Sequence, residues 1–149
     1  MSVTFKESKT KWSKDPYAWN IQTSAGTGEL KSKWSKDMYS WNFKVGNTSV
    51  DVKSQWSKDP YSWKLGSTEM KTKWSKDPFS WKIGSTEMKT KWSKDLFEWT
   101  ADGGKFTIKT KWSKDPHSWT INDSSSMSTE EKMGCLFIAQ IAASLIPKK

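Results

Sequence analysis

The sequence predicts an all-β fold with one C-terminal helix: six β-hairpin repeats closing into a twelve-stranded antiparallel barrel, plugged by the helix. Three observations predict it. A phrase bounded by two tryptophans recurs six times. The residues flanking it alternate apolar and polar with period two. The chain ends in a segment that is apolar almost all round a helix.

The six copies are Trp12 to Trp19 "WSKDPYAW", Trp34 to Trp41 "WSKDMYSW", Trp56 to Trp63 "WSKDPYSW", Trp74 to Trp81 "WSKDPFSW", Trp92 to Trp99 "WSKDLFEW" and Trp112 to Trp119 "WSKDPHSW". They contain all 12 tryptophans of the 149-residue chain. Repeats of this length are units that cannot bury their apolar face alone and must join their neighbours. Residues 1–122 form the repeat domain, 123–127 a linker, and 128–149 the helix.

Each unit reads as a hairpin. Before the turn, Met70, Thr72 and Trp74 alternate with Lys71, Lys73 and Ser75. After it, Phe79, Trp81 and Ile83 alternate with Ser80, Lys82 and Gly84. One face is apolar, the other polar, in every copy. "SKDP" is the turn: Asp caps its amides and Pro presets φ. This explains Asp15, Asp37, Asp59, Asp77, Asp95 and Asp115 as turn caps, not an acidic ring. Pairing Ser75 with Ser80 places Trp74 opposite Trp81, an aromatic pair contributing roughly 0.2–1 kcal/mol. Glycine-containing links such as "GSTE", "SAGTG" and "ADGG" form the opposite rim. The residue two before each first Trp is small (Thr10, Ser32, Ser54, Thr72, Thr90, Thr110), leaving room for a large side chain.

After "DSSSMS", Ser128 to Glu131 reads as a capping box, with Ser128 as N-cap and Glu131 reaching back. A helix follows from about Thr129 to Ile146 and stops at Pro147. From Met133 to Ile146 only Gln140 and Ser144 interrupt its apolar surface, so it must be surrounded. It is short for a membrane span, which needs ~20 residues. Twelve strands close at a backbone radius of roughly 12 Å, and a helix is ~10–12 Å across. One helix plus a layer of aromatics fills that interior. Closure also removes exposed strand edges. The lysine face argues against a porin-like barrel.

At "TEMKTKWSKDPFSW" the chain resembles the choline-binding, or cell-wall-binding, repeats of bacterial surface proteins. Those are hairpins with a Trp–turn–Trp core and a Met-x-Thr-Gly-Trp approach. Met70-Lys71-Thr72-Lys73-Trp74 and Met88-Lys89-Thr90-Lys91-Trp92 match all but the Gly, and the likeness extends more loosely over residues 9–121. The resemblance implies an alternative architecture, an open hairpin solenoid whose aromatics cage a quaternary ammonium or a sugar. Lys73 and Lys91 replace the family's glycine. Asn20, Asn42, Lys64, Lys82, Thr100 and Thr120 stand where its further aromatics would be.

Net charge is +9, and the cations are 25 lysines with no arginine. Without Arg forks, sequence-specific nucleic-acid binding is not expected. Non-specific attraction to polyanions remains, beside the plainer reading of a solvated surface. One Cys (Cys135) and one His (His117) exclude a disulfide framework and a Cys/His metal cluster, and no cofactor is implied. No nucleophile motif, phosphate loop or carboxylate pair points to an enzyme. His117 replaces Tyr or Phe of the other copies and reads as a packed ring. The N-terminus has no apolar signal sequence, so cytoplasmic residence or unconventional export is expected.

Six similar units favour a multivalent, lectin-like binding protein recognising glycans or anionic polymer or lipid surfaces. Its candidate contacts are the twelve tryptophans. For polyanions they are Lys71, Lys73, Lys89, Lys91, Lys109 and Lys111, with Lys9, Lys11, Lys31 and Lys33 as the matching pairs of earlier copies. The alternative is a structural or self-assembling protein, whose helix docks in a neighbouring copy or contacts a membrane. A smaller alternative makes the helix a membrane-perturbing element.

Overall fold

The computed structural model describes residues 3–12, 17–34, 39–56, 61–74, 79–92, 96–112 and 117–142. The "SKDP" turns, with their six aspartates, and the end of the expected helix lie outside the described residues.

Twelve strands form an up-and-down antiparallel barrel: β1 (Phe5–Thr10), β2 (Ala18–Thr23), β3 (Gly26–Ser32), β4 (Ser40–Val45), β5 (Thr48–Ser54), β6 (Ser62–Leu65), β7 (Thr68–Thr72), β8 (Ser80–Ile83), β9 (Thr86–Thr90), β10 (Glu98–Ala101), β11 (Phe106–Thr110) and β12 (Ser118–Asp123). Every strand pairs with its sequence neighbour, and β1 pairs with β12 to close the ring. The open solenoid therefore does not form. Gly46, Gly66 and Gly84 have φ near +60° and make the two-residue links of the far rim, where glycine adopts a left-handed backbone most cheaply.

One register rule builds the wall. Trp19, Trp41, Trp63, Trp81, Trp99 and Trp119 lie opposite Thr10, Ser32, Ser54, Thr72, Thr90 and Thr110. Each indole thus faces the small residue of an adjacent strand, and all six are at most 2 % exposed. The expected pairing of Trp74 with Trp81 is displaced by two residues. Lys73 N–H donates to the Ser80 carbonyl at 2.9 Å, but the strand already ends at Thr72. Trp74 lies past the end of the strand, where the alternation of faces no longer holds.

Helix α1 (Thr129–Phe137) continues as a π-helical turn over Ile138–Ala142. It enters the barrel at the glycine rim. Ser128 Oγ accepts from Glu131 N–H, as the N-cap reading requires. Glu131 does not reach back. Its carboxylate accepts from Ser85 N–H and Ser85 Oγ at 3.2 and 2.9 Å, tying the helix to the β8–β9 link. Below that point Met133, Cys135, Leu136, Phe137, Ile138 and Ile141 are buried in one core with the wall. Burial pushes the Cys135 thiol far above its ordinary pKa, consistent with inert packing. Gln140 is buried and its amide has no hydrogen-bond partner among the described residues.

Gly134 marks the closest approach of plug and wall. A Cβ there would stand 2.7 Å from Met70 Sδ and 2.8 Å from Ile83 Cγ2. Helix propensity alone would favour alanine by ~1 kcal/mol. Met70 can swing aside, but β-branched Ile83 on a paired strand cannot. Gly134→Ala is expected to destabilise by about 1–2 kcal/mol in urea unfolding. A stabilised variant would show that the helix sits further from β7 and β8.

Candidate functional site: exposed indoles and grooves on the outer wall

The twelve tryptophans divide by burial. The second of each pair is core and is withdrawn from ligand contact. The first of each pair (Trp12, Trp34, Trp56, Trp74, Trp92, Trp112) is 56–65 % exposed. In an up-and-down barrel the six first tryptophans share one rim. Single exposed apolar residues are ordinary, but six indoles at equivalent places are a repeated surface feature.

These indoles are held in place. The lysine before five of the six lays its ammonium against the ring: Lys11, Lys33, Lys73, Lys91 and Lys111 stand 5.5–5.9 Å from the ring centres. Such contacts contribute ~0.5–1 kcal/mol at exposed sites. The same ammonium then pairs with a carboxylate of the next hairpin. Lys11 meets Glu29 at 3.0 Å, Lys33 meets Asp51 at 3.3 Å, and Lys73 meets Glu87 at 2.9 Å. Lys111 meets Glu7 at 2.7 Å, which carries the pattern across the closing seam. In the third unit Gln55 replaces lysine and donates to Glu69 at 3.3 Å.

The fifth unit departs from the rule. The carboxylate position five residues before the next first Trp is there Thr107. Lys91 instead pairs at 3.5 Å with Glu98, which stands where other copies have Ser or Ala. Glu98 also accepts from Trp92 Nε1–H at 2.9 Å. This acidic position was missed from sequence, although the signal exists: Glu7, Glu29, Asp51, Glu69 and Glu87 all lie five residues before a first Trp.

The pairs are exposed, so each adds little to stability. Their consequence is chemical. A side-chain hydrogen bond from Asn42 and another from Lys33 hold Asp51 below its usual carboxylate range. The Lys73 hydrogen bond does the same for Glu87. Both carboxylates are charged acceptors at neutral pH.

Between adjacent hairpins these groups line shallow grooves. One, of about 590 Å³, is bounded by Lys33, Trp34, Ser40, Asp51, Lys53 and Lys64. Another, of about 520 Å³, is bounded by Lys73, Ser80, Glu87, Lys89, Thr100 and Gly104. Each combines a carboxylate, ammonium groups and a hydroxyl, and the first is bounded by the exposed indole of Trp34. Of the lysines expected to meet polyanions, Lys73, Lys91 and Lys111 are committed to these ion pairs. Lys71, Lys89 and Lys109 project from the outer wall and are exposed. His117 is half-buried at the position of Tyr17, Tyr39 and Tyr61.

Among the described residues no His, Cys, Asp and Glu cluster suits a metal, and no helix is long and apolar enough to cross a membrane. No family model matches the chain, and no significantly similar curated protein or solved structure was found.

Proposed function

We propose that this protein is a non-enzymatic, multivalent glycan-binding protein, with one saccharide site in each groove between neighbouring hairpins. The observation that carries the reading is the ring of six exposed indoles, each set beside an ionised or amide hydrogen-bonding pair. An indole face stacks on the apolar face of a sugar ring. The adjoining carboxylate, ammonium and hydroxyl groups satisfy sugar hydroxyls at fixed distances. A ring already oriented by its lysine loses little freedom on binding, which favours affinity. Six weak sites on one rim give avidity toward a polymer. The self-assembly alternative has less support, because the apolar helix surface is occupied by the protein's own wall.

A glycan array of neutral, carboxylated and sulfated oligosaccharides, followed by calorimetry on the best binder, tests this. Trp74→Ala is expected to remove one site, with a loss of about tenfold or more at that groove (about 1.4 kcal/mol). Stability should fall by no more than about 1 kcal/mol, the worth of the Lys73 contact, because the ring is otherwise exposed. Silence across the array, or unchanged binding after substitution of all six outer tryptophans, would sink the reading.

A further inference from the structure

The outer wall contains two contacts that do not help the fold. Lys53 on β5 is directly opposite Lys64 on β6, and Lys71 on β7 is directly opposite Lys82 on β8. Like charges facing each other across strands are destabilising. The repeat does not demand them: the position of Lys64 and Lys82 is Asn20, Asn42, Thr100 or Thr120 in the other four copies. The nearest acids offset them only in part, Lys82 acting on Glu87 and Lys53 on Asp51 at a distance. Glu69 and Glu87 lie in register with Lys64 and Lys82, but Gln55 and Lys73 engage them. Among the described residues none of the four lysines has a carboxylate within ion-pair distance. Lys89 extends the band onto β9, so five consecutive strands each present an exposed lysine. The two opposed pairs are two strand spacings apart, roughly 9–10 Å. Lys53 and Lys64 line the same groove as Trp34.

We infer that the ligand is an acidic polysaccharide, and that Lys53 with Lys64 and Lys71 with Lys82 seat successive sulfate or carboxylate groups of one chain lying across the strands. This rests on the glycan reading above and adds the charge and direction of the ligand. An anionic group between two ammonium groups turns a repulsive contact into two attractive ones. The adjacent indole supplies the stacking that a polyanion without sugar rings cannot use.

The test uses the full chain with a sulfated hexasaccharide and the same hexasaccharide after chemical desulfation. In the variant Lys64→Asn with Lys82→Thr, each replacement is a residue that other copies carry at that position. The variant is expected to bind the sulfated sugar at least tenfold more weakly. Its salt dependence should be shallower by about two lysine contacts, and its Tm higher because the repulsion is gone. Equal binding of the sulfated sugar by variant and parent overturns the anion subsite. So does equal binding of the two sugars by the parent. In either case, weaker binding by Trp34→Ala leaves the glycan reading standing. If neither sugar binds, both readings fall. If anionic vesicles or single-stranded RNA bind as tightly as the sulfated sugar and Trp34→Ala changes nothing, the surface is a general polyanion binder and the saccharide assignment is overturned.

Discussion

Phe137→Ala is expected to lower the unfolding free energy by about 3–5 kcal/mol, the range for removing a large aromatic from a core. Phe137 is fully buried and reaches the wall at two inner tryptophans. Its ring is edge-on to Trp41 at 6.0 Å and 76°, and to Trp63 at 4.8 Å and 69°. Such pairs contribute about 0.5–1.5 kcal/mol each beyond area burial. Trp63 is stacked in turn on Tyr39 at 5.9 Å. A closed hydrogen-bonded wall cannot collapse far into the space left by a missing ring, so a cavity would remain. Phe137→Leu keeps most of the volume and should cost much less. Urea unfolding of the three proteins checks the ordering. A loss below about 1 kcal/mol for Phe137→Ala would show that the helix is a loose stopper and not the centre of the core.

The predicted architecture follows from features that are local in sequence. Alternation at Phe79, Trp81 and Ile83 identifies the inward face, and the small residue at Thr72 makes room for an indole. The apolar run from Met133 needs a surrounding wall, and twelve strands provide one of the right width. Where a strand ends is less local. The same alternation places Trp74 inward, yet the ladder stops at Thr72 and the ring is exposed. Alternation assigns a face only while the strand continues, and the candidate site exists because it does not. Partner choice is less local still. Glu131 fits a capping box by spacing, but the closed barrel brings Ser85 within its reach. Lys73 meets Glu87 only because adjacent hairpins pair in one register. The opposed lysines are invisible without the observed register, since the pairing expected around the turn sets Gln55, and not Lys53, opposite Lys64.

The second large effect concerns Lys132, in the first turns of the helix. Its side chain is 1 % exposed, as is that of Asp123, and the two meet at 2.8 Å. Lys132 also donates to the Val3 carbonyl at 2.8 Å. Asp123 accepts from Phe5 N–H, Ser125 N–H and Ser125 Oγ. One ion pair therefore fastens the first strand, the connection after β12 and the plug to each other. Removing one partner of a buried pair leaves an uncompensated charge, at a cost of about 3–5 kcal/mol. Lys132→Met should fall near the lower end at pH 7, because Asp123 keeps three hydrogen bonds.

The pH dependence separates this effect from lost packing. Burial, the largest influence on Asp123, raises its pKa. The Lys132 hydrogen bond and those from Phe5 and Ser125 together outweigh it, so the folded value lies below the ordinary one. A carboxylate depressed on folding contributes stability that is complete above its unfolded pKa of about 3.9. That contribution is lost as pH falls through the folded value. In Lys132→Met the lowering partner is gone while burial remains, so Asp123 takes up its proton at higher pH. Once pH falls through the depressed folded value, the parent loses a favourable pair and retains a buried ammonium, whereas the variant already holds two neutral groups. The stability difference between the two proteins is therefore expected to shrink from pH 7 to pH 3. Urea unfolding at both pH values measures it. A difference that stays constant would mean that Lys132 acts through its hydrocarbon stem and not through its charge.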